Sequence, residues 1–318
     1  MCFCCALQEL RGAWLELALA LAGLGLGSSM LAAGGQPSLE SASVKLQAAH
    51  LDEAAHELEQ LVASQPDHAE AWYLLGVARF RQKRFVEAAR LLRRATELKP
   101  EHAGAWKFLG MAHSALNDFE AAADPFRKAC ELAPKDPDAC YYLGRNEYAL
   151  SRFESSVTAF QKALRAGHAR WRVLRGLGLS LEALGRVAEA EQALRRAVEL
   201  ENGDANMAND PQVELGAFLF RQGRLKEARK ELELAVRKFP QSSRAHFELG
   251  RLLSQLGENA SAARELEEAV RLEPDNWPAH LLLGKVYARL NRLEEARRHL
   301  ELGQRGVEEQ TQRSRTVR

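Results

Sequence analysis

Cysteine is scarce in this chain: 318 residues contain five, and three of these stand at positions 2, 4 and 5. So few cysteines exclude a small disulfide-rich scaffold. The chain also lacks an excess of positive or negative charge, because the formal net charge is only +1. No Lys/Arg run with interleaved aromatic residues occurs. We therefore expect no binding to nucleic acid.

Motifs of an active site are also missing. The sequence has no strand-turn-helix unit that would hold a phosphate-binding loop or a nucleophile elbow. Its nine histidines show no zinc-type spacing. His246 and His280 stand at equivalent places, where Trp72 and Trp106 stand in earlier units, which favours packing over metal ligation. We expect no enzyme activity, no cofactor and no metal site.

What the chain does have is a repeated Leu-Gly pair. Spacings of 20 to 50 residues are typical of stacked arrays. The glycines are Gly76, Gly110, Gly144, Gly178, Gly216, Gly250 and Gly284, which are 34, 34, 34, 38, 34 and 34 residues apart.

Each unit has the features of a helical hairpin. A glycine inside a helix costs about 1 kcal/mol relative to alanine, so its recurrence indicates close helix packing. Small residues recur twelve and nineteen positions after each glycine, and they predict a second helix that packs against the first. Five of the seven residues that stand seven positions after a glycine are Gly or Asn, which tolerate the left-handed turn at a helix end. These turn positions are Lys83, Asn117, Ser151, Gly185, Gly223, Gly257 and Asn291.

The units resemble the tetratricopeptide repeat family. The residues that carry the resemblance in one unit are Trp72, Leu75, Gly76, Ala88, Leu92, Ala95 and Pro100, and the next unit repeats them as Trp106, Leu109, Gly110, Ala122, Phe126, Ala129 and Pro134. The resemblance implies an all-α fold, a right-handed superhelical solenoid of about eight helix-turn-helix repeats of 34 residues. It also implies a concave groove that binds protein segments.

We expect the array to occupy residues 35–310 as one domain, followed by a polar tail at 311–318. Four extra residues within 201–210 predict a longer surface loop that divides the array into two halves. The units are expected near 35–68, 69–102, 103–136, 137–170, 171–204, 209–242, 243–276 and 277–310, of which the first has lost the Leu-Gly pair.

The segment 1–34 differs from the rest of the chain. It has one arginine, Arg11, ahead of an apolar stretch that begins at Leu17, and small residues follow at Ala32, Ala33 and Gly34. This order is typical of a secretory signal peptide, which predicts a periplasmic or secreted protein. The alternatives are a retained membrane anchor, with a tether through residues 13–35, and a start that is neither.

Beyond that segment only Cys130 and Cys140 remain. We expect them to be two buried thiols in adjoining helices, because free cysteine is commonly buried. The alternative is a disulfide, which needs an oxidising compartment and close Cα atoms.

The candidate binding surface is one face of the first helix in each unit. Residues three before the glycine, and one and four after it, share a helical face, and by resemblance this face lines the groove. Tyr and Arg there would suit a protein or peptide partner with acidic and apolar anchors. The candidate groove residues are Tyr73, Lys107, Tyr141, Arg145, Tyr148, Arg172, Arg175, Arg251 and Lys285.

The function predicted from the sequence is a non-enzymatic scaffold for protein–protein interaction. Two alternatives remain open: a structural self-assembling element, and a regulatory subunit of a membrane or envelope complex. For the groove itself, the alternative is that the tyrosines pack internally and the arginines pair with neighbouring helices.

Overall fold

The computed structural model describes residues 38–167, 171–201 and 210–316, and these form an all-α repeat solenoid without strands. Segment 1–34 and most of the 201–210 loop lie outside the described residues. Within these ranges, sixteen helices pair in chain order into eight hairpins. They are α1 Leu39–Gln47, α2 Leu51–Ser64, α3 Ala69–Arg81, α4 Phe85–Leu98, α5 Ala103–Ala115, α6 Phe119–Leu132, α7 Pro137–Ala149, α8 Phe153–Arg165, α9 Trp171–Ala183, α10 Val187–Glu199, α11 Pro211–Arg221, α12 Leu225–Lys238, α13 Ser243–Gln255, α14 Asn259–Leu272, α15 Trp277–Arg289 and α16 Leu293–Thr316.

The chain divides into two compact units, Met1–His168 and Ala169–Arg318. Unit 1 contains α1–α8, and unit 2 contains α9–α16. The boundary between these units lies at 168–169, and the division of the array predicted at 201–210 stays a prediction. Within unit 2, ion pairs connect the hairpins on either side of that insertion: Arg221 to Glu182 at 2.7 Å and Arg224 to Glu191 at 2.6 Å.

The predicted turn positions are confirmed. All seven have a positive φ, between 58° and 62° at Lys83, Asn117, Ser151 and Asn291, and between 73° and 78° at Gly185, Gly223 and Gly257. Ala49 has the same conformation, with a φ of 63°, in the first hairpin. That turn has no Gly or Asn signal, so it was not predicted from the sequence.

The recurring glycines are packing residues, but the atoms that require them differ from the prediction. A Cβ added at any of them would stand 2.6–2.8 Å from a large side chain sixteen residues later, which fills the space directly above the glycine. The predicted small residues lie beside this contact and are buried. The large residues are Leu92, Phe126, Phe160, Leu194, Leu232, Leu266 and Leu300.

Two departures from the repeat pattern have local explanations. In the first hairpin Ala42 takes the place of glycine, and both it and Leu58, sixteen residues later, are fully buried. In the fourth hairpin Ser156 replaces the usual alanine, and its hydroxyl donates a 2.7 Å hydrogen bond to the Gly144 carbonyl.

A side chain four residues before the glycine, here called the slot residue, ties four of the hairpins to the linker before them. Its ring nitrogen donates a hydrogen bond to the backbone carbonyl of a proline six residues earlier. The ring nitrogen must be the donor, because a carbonyl oxygen can only accept. The interpretation of His246 and His280 as packing residues is confirmed, since both are 7% exposed. The bonds are Trp72 to Pro66 (2.8 Å), Trp106 to Pro100 (2.7 Å), His246 to Pro240 (3.0 Å) and His280 to Pro274 (3.1 Å).

Cys140 occupies the slot of the fourth hairpin and forms a disulfide with Cys130. The prediction of two free thiols is wrong, although both residues are buried as expected. Only residues 133–136 separate α6 from α7, and this short linker brings the two Cα atoms to 4.8 Å. The bond joins neighbouring hairpins of unit 1 covalently.

The last helix is longer than the others, with 24 residues against at most 14 elsewhere among the described helices. The tail predicted at 311–318 continues this helix as far as Thr316. Gly303 and Gly306 allow the extension to pack along α15, because a Cβ at either would collide with Leu281 or Trp277.

Candidate functional site

Tyr73 lies where two successive hairpins of unit 1 pack against each other. Its ring lies 4.5 Å from the ring of His102 and 6.0 Å from that of Phe108, both in the next hairpin. Burial, with the nearby charges of Glu70 and Asp136, raises the pKa of its hydroxyl. His102 accepts a hydrogen bond from the Ala105 amide at Nδ1 and meets Glu70 at 2.9 Å through Nε2. Tyr73 therefore packs against the next repeat more than it faces an open groove.

Lys107 is also engaged within the chain. Its ammonium lies 2.7 Å from the carboxylate of Asp136, and both side chains are less than one third exposed. The other oxygen of Asp136 accepts from the Asp138 amide and caps α7. This lysine therefore connects two successive hairpins of unit 1.

The first helix of the fourth hairpin, α7, brings three candidate residues together on one half-buried face. The guanidinium of Arg145 lies 5.7 Å from the ring centre of Tyr141. One turn further, Tyr148 packs edge-on against Phe153 at 5.5 Å. All three side chains stay partly exposed, so α7 presents two phenols and one guanidinium on this face.

In unit 2 the candidate arginines meet carboxylates. Arg175 lies 3.5 Å from Glu214, and Arg244 makes a second ion pair with the same carboxylate. Burial opposes ionisation of Glu214, but the charges of Arg244 and Arg175 outweigh it and hold the pKa below its usual value. Arg172 lies over the ring of Trp171 at 5.2 Å.

Arg251 combines an aromatic contact with an acidic one. Its guanidinium lies 4.8 Å over the ring of Phe220, and its Nη2 is 2.7 Å from the carboxylate of Glu248. Burial raises the pKa of Glu248 in spite of the neighbouring arginines. Lys285 is exposed on α15.

The structure therefore brings Tyr141, Arg145 and Tyr148 together on α7. Separately, Lys107, Arg175 and Arg251 each have a carboxylate partner in the fold. Sequence reasoning missed these carboxylates. One signal was present, because Glu214 and Glu248 both stand two residues before the glycine in successive repeats. The equivalent positions of unit 1 hold Leu74, Phe108 and Tyr142.

Two further features of the described residues bear on the sequence predictions. Within 38–167, 171–201 and 210–316, no group of three or more His, Cys, Asp or Glu side chains is arranged to hold a metal ion. Across the same ranges, no helix has the length and apolar character needed to span a bilayer.

Comparison with known protein families gives matches over most of the chain. A tetratricopeptide repeat model matches residues 39–100, 85–137, 141–206 and 247–306. A second tetratricopeptide repeat model matches residues 209–252. No curated protein matches the sequence.

Several solved structures are similar in fold. A tetratricopeptide repeat protein from Parabacteroides merdae has 16% identity and a TM-score of 0.59, covering 78% of this chain and 96% of its own. The APC/C hetero-tetramer Cut9–Hcn1 has 17% identity and a TM-score of 0.58, and the match covers 78% of this chain and 49% of the other. The Pseudomonas aeruginosa pilF structure has 21% identity and a TM-score of 0.55, and the match covers 70% of this chain and 97% of the other. At these identities the likeness extends to the fold alone.

Proposed function

Since this chain belongs to the tetratricopeptide repeat family, we propose that it is a non-enzymatic scaffold that binds an extended or helical segment of a partner protein. The observation that carries the proposal is the α7 face, where Tyr141, Arg145 and Tyr148 stand together and partly exposed. Tyr and Arg are the residue types that most often dominate binding energy at interfaces. We place the main contact with the partner on this face.

The chemistry of the face suggests the chemistry of the partner. The two phenol rings suit an apolar anchor, and the guanidinium suits a carboxylate, to which Arg can bond bidentately. A partner segment with one acidic and one apolar anchor is therefore proposed for α7.

We further propose that the protein works in an oxidising compartment, periplasmic or extracellular. The Cys130–Cys140 disulfide supports this, because such bonds persist mainly in oxidising environments. The signal-like segment 1–34 is the sequence feature that agrees with it.

The test is affinity capture from the native source with mass spectrometry, using wild type and a Tyr141→Ala, Arg145→Glu variant. The matched control is Lys162→Glu, which reverses one exposed charge on α8 of the same hairpin. Arg175→Glu is unsuitable, since its carboxylate would face Glu214. Unfolding midpoints equal to wild type would show that both variants are folded.

We expect a partner that is recovered with wild type and the Lys162→Glu control but lost with the α7 variant. A partner retained by all three would contradict the proposal for this face. Recovery of no partner, together with oligomers in light scattering, would favour the self-assembling element instead.

A further inference from the structure

One pair of positions changes its chemistry along unit 2. The slot residue meets the residue fifteen positions after the glycine, on the second helix of the same hairpin. In α11–α12 the amide of Gln212 donates to Glu231 at 2.9 Å. In α13–α14 and α15–α16 the bonds are His246 Nδ1 to Glu265 at 2.7 Å and His280 Nδ1 to His299 Nδ1 at 2.9 Å. Successive hairpins therefore carry amide–acid, imidazole–acid and imidazole–imidazole pairs.

The His280–His299 bond requires that one of the facing nitrogens carries no proton. His280 donates from Nε2 to the Pro274 carbonyl, so in its neutral form its Nδ1 is the acceptor and His299 Nδ1 the donor. If both rings are imidazolium, both Nδ1 atoms carry hydrogen and the bond cannot form. Two cations would then stand with ring centres 5.0 Å apart.

The His246–Glu265 bond has the opposite requirement. Here Nε2 donates to the Pro240 carbonyl and Nδ1 faces a carboxylate, so both ring nitrogens have acceptors. Only the imidazolium satisfies both. Burial works against the charged ring, but Glu265, the Pro240 carbonyl and Glu268 outweigh it and raise the pKa of His246.

The two carboxylates near His299 are bonded to other side chains. Glu267 on α14 accepts a 2.7 Å hydrogen bond from the Tyr287 hydroxyl on α15, and the Tyr287 ring lies 5.5 Å from His299. Glu295, one turn earlier on α16, pairs with Arg292.

The cations around His299 act in the same direction as its burial. Burial, then His280, then Arg298 lower the pKa of His299, and Glu267 and Glu295 offset this only in part. Arg292, whose guanidinium lies 4.0 Å over the Tyr287 ring, adds positive charge to this region.

We propose that the last hairpin, α15–α16, is loosened by acid: when both facing Nδ1 atoms of the His280–His299 pair carry hydrogen, their bond is lost and α16 is held less firmly. The preceding hairpin does not respond in this way, because its bond is made by the protonated form of His246. The array thus has a pH-sensitive end and a pH-tolerant neighbour, built from the same two positions.

The signs follow from linkage between protonation and folding. A group whose pKa is lowered by folding stabilises fully above its unfolded pKa, about 6.5 for histidine, and this stabilisation is lost as the pH falls. That is the case for His299. For His246, whose pKa is raised, the stabilisation is present below about 6.5 and is lost as the pH rises through the folded value.

The experiment is hydrogen exchange with mass spectrometry on the full chain at pH 7.5 and 5.5, expressed as protection factors so that the intrinsic pH dependence of exchange is removed. We expect protection in α16 to fall at pH 5.5, by up to tenfold per pKa unit between the folded and unfolded histidine. Protection in α14 should stay level or rise. Equal protection of α16 at both pH values would overturn the proposal.

The chain supplies its own matched variants. His299→Glu copies the His246–Glu265 pair into the last hairpin and should abolish the acid response of α16. Glu265→His copies the His–His pair into the preceding hairpin and should give α14 an acid response that it lacks in wild type. An acid response of α16 unchanged by His299→Glu would overturn the proposal.

If His299→Glu does not fold, His299→Gln serves the same purpose, since Gln can donate to His280 but does not titrate. Its α16 should keep the same protection at both pH values, and a wild-type response would again overturn the proposal. None of these readouts requires a partner, so the inference stands or fails independently of groove binding.

Discussion

The phenyl ring of Phe160 lies directly over Gly144, so close that a Cβ on the glycine would stand 2.8 Å from ring atoms Cδ1 and Cε1. The two residues belong to α7 and α8, which form one hairpin. Glycine is needed here for the close approach of two helices and not for an unusual backbone angle.

Gly144→Ala should therefore destabilise the protein by about 1–3 kcal/mol through overpacking, and Gly144→Leu by more. The sign is informative, because alanine in an uncrowded helix would stabilise by about 1 kcal/mol. Denaturant unfolding monitored by circular dichroism would measure it. A midpoint equal to or above that of wild type would show that Phe160 moves aside without cost.

The left-handed turns allow a prediction with opposite signs at equivalent positions. Lys83 and Ser151 have positive φ, with values of 62° and 58°, which L-residues adopt at a cost of roughly 1–2 kcal/mol. Replacing either by glycine should stabilise the protein by about 1 kcal/mol. Gly185→Ala, at the same place in another hairpin, should destabilise it by a similar amount.

Thermal melts of these three variants would test the prediction. Glycine at position 83 that lowers the melting temperature would mean that the side chain of Lys83 contributes more than its backbone costs.

The disulfide predicts a redox-dependent stability. Reduction of the Cys130–Cys140 bond, which closes a loop of about ten residues, should lower the free energy of unfolding by about 2–3 kcal/mol. Melting with and without dithiothreitol measures this difference. The double variant Cys130→Ala, Cys140→Ala should melt near reduced wild type and should not respond to the reductant, and a response would point to some other thiol.

Glu214 should be the most costly of the ion-paired carboxylates to remove. Its side chain is 5% exposed and forms ion pairs with both Arg175 and Arg244. Glu214→Gln should destabilise the protein by about 1–3 kcal/mol, because it removes a buried charge-assisted contact from both arginines. Urea unfolding at neutral pH measures the loss.

The pH dependence of the same carboxylate has a definite sign. Because folding lowers the pKa of Glu214, its contribution is present above the unfolded pKa of about 4.3 and is lost as the pH falls below it. The Glu214→Gln variant should lose less stability than wild type between pH 6 and 3. Glu189→Gln is the control: the hydrogen bond from Arg186 also lowers the pKa of Glu189, but solvent screens this exposed pair, so the variant should follow wild type more closely.

The periodic features of this fold could be predicted from the sequence because they depend on contacts that recur at constant spacing. The hairpins, the turns and the buried small residues all follow from the 34-residue interval. Leu92 and Phe126, two of the large residues above the glycines, belong to the repeat pattern, but the sequence predicts that alanine faces the glycine. The repeat spacing predicts which helix faces the glycine. Which side chain fills the space above the glycine depends on the distance between the two helices.

The site was less predictable, because it depends on contacts between repeats that differ from one junction to the next. Nothing in the sequence shows that Arg175 meets Glu214, 39 residues away, and not a partner protein. The disulfide was judged on the ordinary burial of cysteine, whereas the short linker between α6 and α7 decides it. His299 was not singled out, since its meaning comes only from the comparison with Glu265 in three dimensions.

The contact between a glycine and the large residue above it is completed inside one hairpin. The two helices of each such hairpin are therefore held together by a contact that involves no side chain of another hairpin. Insertion or deletion of a whole 34-residue segment leaves every such contact intact and alters only the contacts at the junctions beside it. An array built in this way can change its length by duplication of a gene segment, without a new core being assembled at each step.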